Sequence, residues 1–347
     1  MSEQRTAGDA ALDRAMMDRA FDLGERGRGR TSPNPFVGCV IAQGEQIVGE
    51  GWTQPPPGPH AEIVALEQAG AAARGAAVYV TLEPCAHIGR TPPCTDALLA
   101  AGVARVVIAL TDPNPVAAGG VATLVDAGVA VDQDVAVERA TRQHEIFLHT
   151  VRTARPFVIA KTASSLDGYV ADHAGRSKWI TGPQARAAGH RLRAEVDAIL
   201  VGSETALADD PSLTVRDIGG GRTWDGPQPL RVVLDRRGRV KEARLRMQAD
   251  DGAAPLVSDA TRPEDVLQEL WALGIGSVLV EGGPTIVSAF ITAGLVDRYE
   301  VHLGGVILGE GLPAVPGRFT LDQAPRMIVA ASTVWGTDVV LTAYPRR

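Results

Sequence analysis

The sequence has few cysteines, no surplus of positive charge and no long apolar run. Only three cysteines occur in 347 residues, all before residue 100, which excludes the disulfide framework of a small secreted protein. Lysine and arginine number 34 against 41 acidic residues, a formal net charge of −7, whereas binding a long polyanion favours a strong basic surplus. The composition therefore argues against nucleic acid as a partner and leaves a small phosphorylated metabolite open.

Membrane and secretory signals are also missing. No apolar run approaches the ~20 residues that a membrane span needs. The first residues, Met1–Arg5, are polar and lack the apolar core of a secretory signal. We therefore expect a cytoplasmic protein that makes no membrane contacts. A length of 347 residues predicts two domains, at ~150 residues for each.

The pattern of strands and helices restarts near Arg152–Pro156. Before this segment, a helix at 9–26 and paired strands at 36–42 and 46–52 lead into alternating strands and helices. The last helix of this half is expected at about 135–150. This alternation implies a largely parallel, three-layer sheet in the first half. After the segment, strands again alternate with helices, as in a second α/β domain. We predict one α/β domain over residues 1–153 and a second over 154–347.

Three potential zinc ligands, His60, Cys85 and Cys94, stand in the pattern of the zinc-dependent base deaminases, H-x-E followed by P-C and a further cysteine. Two thiolates and one imidazole fill three tetrahedral positions and leave the fourth to water, whose pKa the metal lowers. Glu62 is then free to carry the proton to the departing amine. His60 and Glu62 are two residues apart, so they can act together only at a helix start, where Pro59 would place them.

A structural zinc site is the alternative interpretation. Such a site normally has four protein ligands, and His87 is available as the fourth. Glu62 favours the catalytic interpretation, because a structural site does not need it. The remaining cysteine, Cys39, is expected to be a small buried strand residue.

The second half carries weaker signals. The strand at 278–281 ends in Gly282-Gly283 before a helix, and the backbone amides exposed there form a ready phosphate cradle. The turn is not a G-x-G-x-x-G fingerprint, and many such turns bind nothing. The polar stretch Thr205–Arg216 is either a capped turn or part of a site. Arg193 and Arg216 could clamp a phosphate.

Taken together, these motifs resemble those of the bifunctional deaminase–reductases of riboflavin biosynthesis, from about Asp9 to the C-terminus. In the first domain the resemblance rests on Ser32–Pro35, His60–Glu62, Thr81–Cys85, Gly89–Cys94 and Asp112–Pro115. In the second domain it rests on Ser165–Gly168, Ser177–Thr181, Ala208–Pro211 and Glu281–Thr285. Nine motifs in one order make the resemblance specific.

The resemblance implies a cytidine-deaminase-like domain followed by a dihydrofolate-reductase-like domain. The implied substrate is a diamino-pyrimidinone that carries a phosphoribosylamino group. The first domain would remove a ring amine as ammonia, and the second would use NADPH to reduce the ribosyl group to ribityl. We also expect a homo-oligomer.

The resemblance also implies residue roles. Zn²⁺ would be bound by His60, Cys85 and Cys94, with Glu62 as the proton carrier. NADPH would contact Ala163, Trp179, Thr205, Asp209, Gly283, Pro284, Thr285, Ile286, Val287, Ser288 and Ala289. The substrate would contact Ser177, Arg193, Leu213, Arg216 and Glu281, with Asn34 and His87 serving the first domain.

Two rival functions follow from the same residues. A nucleic-acid base deaminase with an accessory domain, such as a tRNA adenosine deaminase, explains the first domain, but it gives the second no role. A binding protein that keeps the fold without turnover would not need the intact set of His60, Glu62, Cys85 and Cys94.

Overall fold

The protein is described by a computed structural model that covers residues 7–88, 92–240, 243, 245–248 and 254–346. Its contacts divide the chain into two compact units, Met1–Thr153 and Ala154–Arg347. Each unit has its own main sheet and its own apolar core. None of the helices in the described ranges is both long and apolar enough to span a membrane.

The first unit contains one five-stranded sheet. Its strands are β1 (Gly38–Gln43), β2 (Gln46–Trp52), β3 (Ala77–Val80), β4 (Arg105–Ile108) and β5 (Ala130–Asp132). They lie in the order β2-β1-β3-β4-β5, with β1 antiparallel to both neighbours and β3, β4 and β5 parallel. Its helices are α1 (Ala7–Gly24), α2 (Ala61–Ala69), α3 (Cys94–Ala101), α4 (Gly120–Asp126), α5 (Val137–Gln143) and α6 (Glu145–Thr153).

Alternation along β1 creates the three layers. Cys39 and Ile41 point to one face and pack with residues of α2, α3 and α4. Val40 and Ala42 point to the opposite face and pack with residues of α1. Cys39 is fully buried, as expected for a small strand residue. The predicted three-layer α/β architecture is confirmed for this unit.

Helix α2 lies unusually close to strand β2. A Cβ atom added to Gly51 would lie 2.1 Å from the carbonyl oxygen of Ala61, and one added to Gly49 would lie 2.2 Å from that of Ala65. Both distances are far below van der Waals contact, so only glycine permits this approach. The two glycines therefore set the position of the N-terminal half of α2 on the sheet.

The second unit contains an eight-stranded sheet in the order β10-β9-β8-β11-β6-β12-β15-β14. The first six strands in this order run parallel, whereas β15 is antiparallel to both of its neighbours. A separate two-stranded sheet pairs β7 with β13. The strands are β6 (Phe157–Ser165), β7 (Tyr169–Asp172), β8 (Ala198–Gly202), β9 (Leu230–Leu234), β10 (Leu256–Ser258), β11 (Ser277–Val280), β12 (Arg298–Gly304), β13 (Gly311–Pro313), β14 (Met327–Trp335) and β15 (Asp338–Pro345).

Helices cover the large sheet. They are α7 (Pro183–Glu195), α8 (Ser203–Asp209), α9 (Pro263–Ala272) and α10 (Pro284–Thr292). The apolar core joins alternate residues of β6, β8, β9 and β11 to α9 and α10, with Phe290 of α10 fully buried. At the C-terminus of α7, Glu195 forms an ion pair with the buried Arg298 of β12, at 3.0 Å.

The structure corrects the predicted elements in two places in the first unit. The predicted helix at 135–150 is two helices, α5 and α6, separated at His144. The apolar periodicity continues across this break, and no glycine or proline marks it. The sheet is not largely parallel either, because the tight turn at Gly44 folds β2 back along β1 and β1 is antiparallel to β3.

Four elements of the second unit were not predicted: β7, α8, β13 and β14. Strand β14 lacks the alternation of a half-buried strand, because its apolar side chains are exposed on both faces of the sheet; Ile328, Val329 and Val334 are 54%, 59% and 73% exposed. Helix α8 lies in the polar stretch for which a capped turn was one of the two interpretations. A seven-residue helix is too short to give a clear periodicity.

We expect Gly51→Ala to destabilise the first unit by about 2 kcal/mol, because the added methyl group overpacks the contact between α2 and β2. It should also weaken zinc retention, since α2 carries His60 and Glu62. Gly44→Ala is the control: Gly44 has φ +58° but open space around it, so its cost should be only the backbone strain of about 1 kcal/mol. Urea unfolding and zinc content after dialysis test both variants, and equal zinc retention would contradict the prediction.

Candidate active sites

The start of helix α2 presents two of the predicted catalytic residues. His60 is the N-cap of α2, with an extended backbone at φ −71° and ψ 163°. Glu62 lies in the first turn and is only 4% exposed. The predicted placement of this pair at a helix start is confirmed. It allows two residues that are two positions apart to face the same cleft.

Cys85 and Cys94 lie beside His60. The Nδ1 atom of His60 is 3.3 Å from Sγ of Cys94 and 3.7 Å from Sγ of Cys85. Cys94 is the first residue of α3, and its backbone N–H donates to Sγ of Cys85 at 3.4 Å. Of the loop between the two cysteines, the motif residues Gly89, Arg90 and Thr91 lie outside the described residues.

These separations fit a tetrahedral zinc ion. Usual Zn–N and Zn–S bond lengths require about 3.5 Å between nitrogen and sulfur and about 3.8 Å between two sulfurs. All three ligand atoms lie within 4.8 Å of one another, and no fourth His, Cys, Asp or Glu of the described chain joins the group. His87 is therefore not placed as a fourth ligand, which disfavours the structural-zinc alternative and leaves one coordination position open.

The protonation states of the group are coupled. The pKa of Cys85 is lowered to about 4 by the hydrogen bond from Cys94 and by His60, although burial opposes this. The pKa of Cys94 is raised by that same bond and by burial. Burial also raises the pKa of the Glu62 carboxyl above its usual range, with His60 opposing. A buried carboxyl whose pKa is raised holds a proton more readily than an exposed one, as a general acid–base group requires.

A cleft of about 410 Å³ is lined by two of the three ligands, His60 and Cys85. Its lining includes Glu62, Asn34, His87, Asp112 and Asn114, so both residues predicted to contact the pyrimidine lie in it. The Nδ1 atom of His87 is buried and has no hydrogen-bond partner in the described structure. Burial raises the pKa of Asp112. The cleft therefore offers several polar groups to a planar polar ring.

Glu83 organises one wall of this cleft and was given no role by the sequence. Its buried carboxylate accepts hydrogen bonds from the backbone N–H groups of Asp112 at 3.0 Å, Gly119 at 3.2 Å and Val121 at 2.9 Å. These bonds hold the segment that presents Asp112 and Asn114. The available signal was an acidic residue directly after an apolar strand, within Thr81–Cys85.

The second unit has a separate polar cluster at the end of β11. The carboxylate of Glu281 accepts hydrogen bonds from Nε of Arg193 at 2.7 Å and from Nζ of Lys161 at 3.1 Å. Burial alone would raise the pKa of Glu281, but the two adjacent cations hold it well below its usual range. Lys161 was missed by the sequence analysis, because a single lysine in an apolar strand carries no motif.

Two other predicted substrate residues, Arg216 and Leu213, adjoin this cluster. Arg216 donates to Oγ1 of Thr214 at 2.8 Å, and Arg193 donates to the carbonyl oxygen of the same residue at 3.3 Å. Leu213 is buried beside them, in a left-handed conformation with φ 53°. The structure therefore brings Arg193, Leu213, Arg216 and Glu281 together. Ser177 lies elsewhere in the chain, on the exposed segment that precedes Trp179.

The predicted cofactor residues lie at the carboxyl ends of parallel strands, where open α/β sheets bind ligands. Gly283 is the N-cap of α10, with φ 68°, and a Cβ added there would lie 3.2 Å from Oγ1 of Thr205. Thr205 and Asp209 belong to α8, directly after β8, and Ala163 lies near the end of β6. Within α10, Val287 is buried in the apolar core, which leaves only its backbone for a ligand.

Trp179 is exposed and strained. Its side chain is 75% exposed, and its φ of 72° lies in the left-handed region that bulky residues avoid. Such a conformation costs of order 1–3 kcal/mol and is concentrated at binding and catalytic sites. The guanidinium of Arg186 stacks on its ring, 4.4 Å from the centroid.

Comparison with known families matches both units. The family described as cytidine and deoxycytidylate deaminase zinc-binding region matches residues 11–110, which contain His60, Cys85 and Cys94. The family described as RibD C-terminal domain matches residues 156–341. The predicted order of a cytidine-deaminase-like fold followed by a dihydrofolate-reductase-like fold is confirmed.

Individual relatives match over almost their full length. Riboflavin biosynthesis protein RibD of Escherichia coli is 42% identical, covering 95% of this chain and 98% of that protein, and RibD of Mycobacterium tuberculosis is 43% identical, covering 97% and 98%. The solved Thermotoga maritima diaminohydroxyphosphoribosylaminopyrimidine deaminase/5-amino-6-(5-phosphoribosylamino)uracil reductase has a TM-score of 0.88 at 35% identity, covering 97% of this chain and 99% of that one. Acinetobacter baumannii RibD has a TM-score of 0.86 at 37% identity, with the same coverage. The chain therefore belongs to the RibD family of bifunctional riboflavin-biosynthesis deaminase–reductases.

Proposed function

We propose that the chain carries out two steps on one phosphorylated pyrimidine in riboflavin biosynthesis. The first unit hydrolyses a ring amine of the diamino-pyrimidinone that carries a phosphoribosylamino group, and ammonia is released. The second unit reduces the ribosyl group of the product to ribityl with NADPH. The observation that carries the proposal is the three-ligand group of His60, Cys85 and Cys94 beside the buried Glu62, at a cleft that His60, Cys85 and Glu62 line.

In the first unit, His60, Cys85 and Cys94 would hold zinc, which would act as a Lewis acid that activates the attacking water. Glu62 would take a proton from the attacking water and deliver it to the departing amine. Its burial supports this role, because a raised pKa lets the carboxyl both accept and release a proton. Asn34 and His87 hold the pyrimidine from the cleft wall, where the unpartnered Nδ1 of His87 is available for hydrogen bonding.

In the second unit, NADPH supplies the hydride. The turn at Gly283 accepts its pyrophosphate through backbone amides, and α10 contributes Pro284, Thr285, Ile286, Val287, Ser288 and Ala289. Ala163, Trp179, Thr205 and Asp209 complete the cofactor contacts. The substrate contacts Ser177, Arg193, Leu213, Arg216 and Glu281. We assign the substrate phosphate to the two arginines, because Arg193 and Arg216 both donate hydrogen bonds to Thr214 and therefore lie close together.

A homodimer is the third part of the proposal. Strand β14 is the edge of the eight-stranded sheet, and β15 is its one neighbour among the described strands. Its nine residues carry no charge and expose Ile328, Val329 and Val334. Uncharged, exposed edge strands are templates for pairing with another chain, so a second copy of this chain is the partner that we propose.

One assay tests the reaction sequence. The zinc-loaded protein is incubated with the diamino-pyrimidinone phosphoriboside, with and without NADPH, and the products are identified by mass. We expect ammonia release in both samples and the ribityl product only with NADPH. A gel-shift assay with tRNA tests the rival function of a nucleic-acid base deaminase. We expect no complex between the protein and tRNA.

Glu62→Gln should keep zinc and fold but lose ammonia release by a factor of ~10²–10⁴, the usual contribution of a positioned acid–base group. The amide keeps the shape of the side chain but cannot accept the proton of the water. Ammonia assays and metal analysis on the same samples provide the measurement. Reduction of the pre-deaminated substrate is the internal control and should be unchanged, and near-normal deamination would assign the proton transfer to another group.

Gly283→Val should raise the KM for NADPH, because the new side chain meets Thr205 and blocks backbone approach to the pyrophosphate. Gly274→Val is the matched control. Gly274 also has a positive φ, of 80°, but has open space around it, so it shares the backbone strain without the contact. Steady-state kinetics with NADPH and NADH on both variants test the assignment. An equal KM in the two variants, or equal use of NADH, would contradict it.

Val334→Lys should shift the homodimer toward monomer, because it places a charge on the uncharged edge strand of each copy. Ile307→Lys is the control, since Ile307 is equally exposed at 73% but lies outside β14. Sedimentation velocity on wild type and both variants measures the change. A monomeric wild type, or a dimer unaffected by Val334→Lys, would count against this interface.

A further inference from the structure

The segment that carries Trp179 is fixed against the end of strand β12. A Cβ added to Gly304 would lie 1.9 Å from the carbonyl oxygen of Ile180, so the two backbones are in direct contact there. The backbone N–H of Gly182 donates to the buried carboxylate of Asp338 at 2.6 Å. Trp179 is thereby placed at the carboxyl end of β12.

Strand β6 carries the predicted NADPH contact Ala163, and its register with β12 brings this residue close. Ala163 is paired with His302 of β12, and Ser165 is paired with Gly304. Because Gly304 is the residue that contacts Ile180, Trp179 lies next to the end of the strand that holds Ala163. The carboxyl ends of β6 and β12 and the indole of Trp179 therefore form one surface.

The backbone and side chain of Trp179 need separate support. Burial of the indole cannot compensate for the strain of the left-handed backbone, since 75% of the residue remains exposed. Conformations of this kind persist only where neighbouring contacts determine them. The support therefore has to come from specific contacts to the ring or to the adjacent peptide groups.

Arg186 supplies two such contacts. Its guanidinium carbon lies 4.4 Å from the centroid of the Trp179 ring, and its Nη1 donates to the carbonyl oxygen of Thr181 at 2.8 Å. Arg186 belongs to α7, so the support comes from a regular helix and not from the loop itself. Stacking covers one face of the indole and leaves the other for a ligand.

We propose that Arg186 is a positioning residue for NADPH, which holds the Trp179 ring as a flat wall at the carboxyl ends of β6 and β12. The proposal rests on the proposed function, in which Trp179 contacts the cofactor. A guanidinium suits this role because it is planar, stacks on aromatic faces and still has N–H groups directed at a carbonyl oxygen. A lysine would keep the charge without the planar stack.

The test is a double-mutant cycle on the zinc-loaded full-length protein. The variants are Arg186→Met, Trp179→Ala and the combination, and the measurement is the Kd for NADPH by isothermal titration calorimetry. Arg186→Met should raise Kd about threefold to tenfold, consistent with losing one exposed cation–π contact and one hydrogen bond. In the Trp179→Ala background the same change should alter Kd less than about twofold, because Arg186 acts through the ring.

Arg191→Met is the matched control. Arg191 is also in α7 and also stacks on a tryptophan, Trp335, at 4.3 Å from the ring centroid. This variant should leave the Kd for NADPH unchanged. Arg186→Lys serves as the milder variant should Arg186→Met unfold, and its Kd for NADPH should exceed that of wild type, because lysine keeps the charge but loses the planar stack.

The possible failures are distinguishable. An unchanged Kd in Trp179→Ala would show that Trp179 does not contact NADPH, which overturns that part of the proposed function and this inference with it. If Trp179→Ala binds NADPH more weakly but Arg186→Met and Arg186→Lys bind it normally, the inference about Arg186 is overturned and the proposed function is not. An equal effect of Arg186→Met in both backgrounds would also overturn it, because Arg186 would then act independently of the ring.

Discussion

The close contact between α2 and β2 determines where the chemistry of the first unit can take place. Gly49 and Gly51 let two carbonyl oxygens of α2 approach the strand to distances that any side chain would forbid. The start of the helix is thereby fixed to the sheet, and His60 and Glu62 are fixed with it. A buried carboxylate beside a metal site has to be held in position, since a small displacement changes both its proton affinity and its reach.

Backbone contact at glycine recurs at two other segments that carry site residues. A Cβ at Gly120 would lie 2.0 Å from the carbonyl oxygen of Pro84, the residue before Cys85, and one at Gly304 would lie 1.9 Å from that of Ile180, the residue after Trp179. In each case a loop that carries a proposed ligand or cofactor contact is fixed through its backbone. Its side chain can then face the site instead of anchoring the loop.

The sequence was sufficient for the features that depend on local order. The zinc ligands, the helix start at His60 and the Gly283 turn each lie within a short segment whose spacing carries the signal. Lys161 and Glu83 could not be found in this way, because their roles come from partners 120 residues away in one case and 29 to 38 residues away in the other. Strand β14 was missed for a different reason. Its apolar side chains are exposed on both faces, so its sequence lacks the alternation of polar and apolar residues that predicts a half-buried strand.

Local charge also differs from what the whole chain suggests. The net charge of −7 argued against a long polyanion, yet Lys161 and Arg193 both donate to the carboxylate of Glu281, and Arg193 and Arg216 both donate to Thr214. Burial and the two neighbouring arginines lower the pKa of His190 to about 4, and burial and Lys161 lower that of His302 to about 3. Both histidines are therefore neutral at physiological pH, and the positive charge of the cluster is carried by Lys161, Arg193 and Arg216. A small phosphate can be bound by such a cluster, whereas the acidic remainder of the chain would repel an extended polyanion.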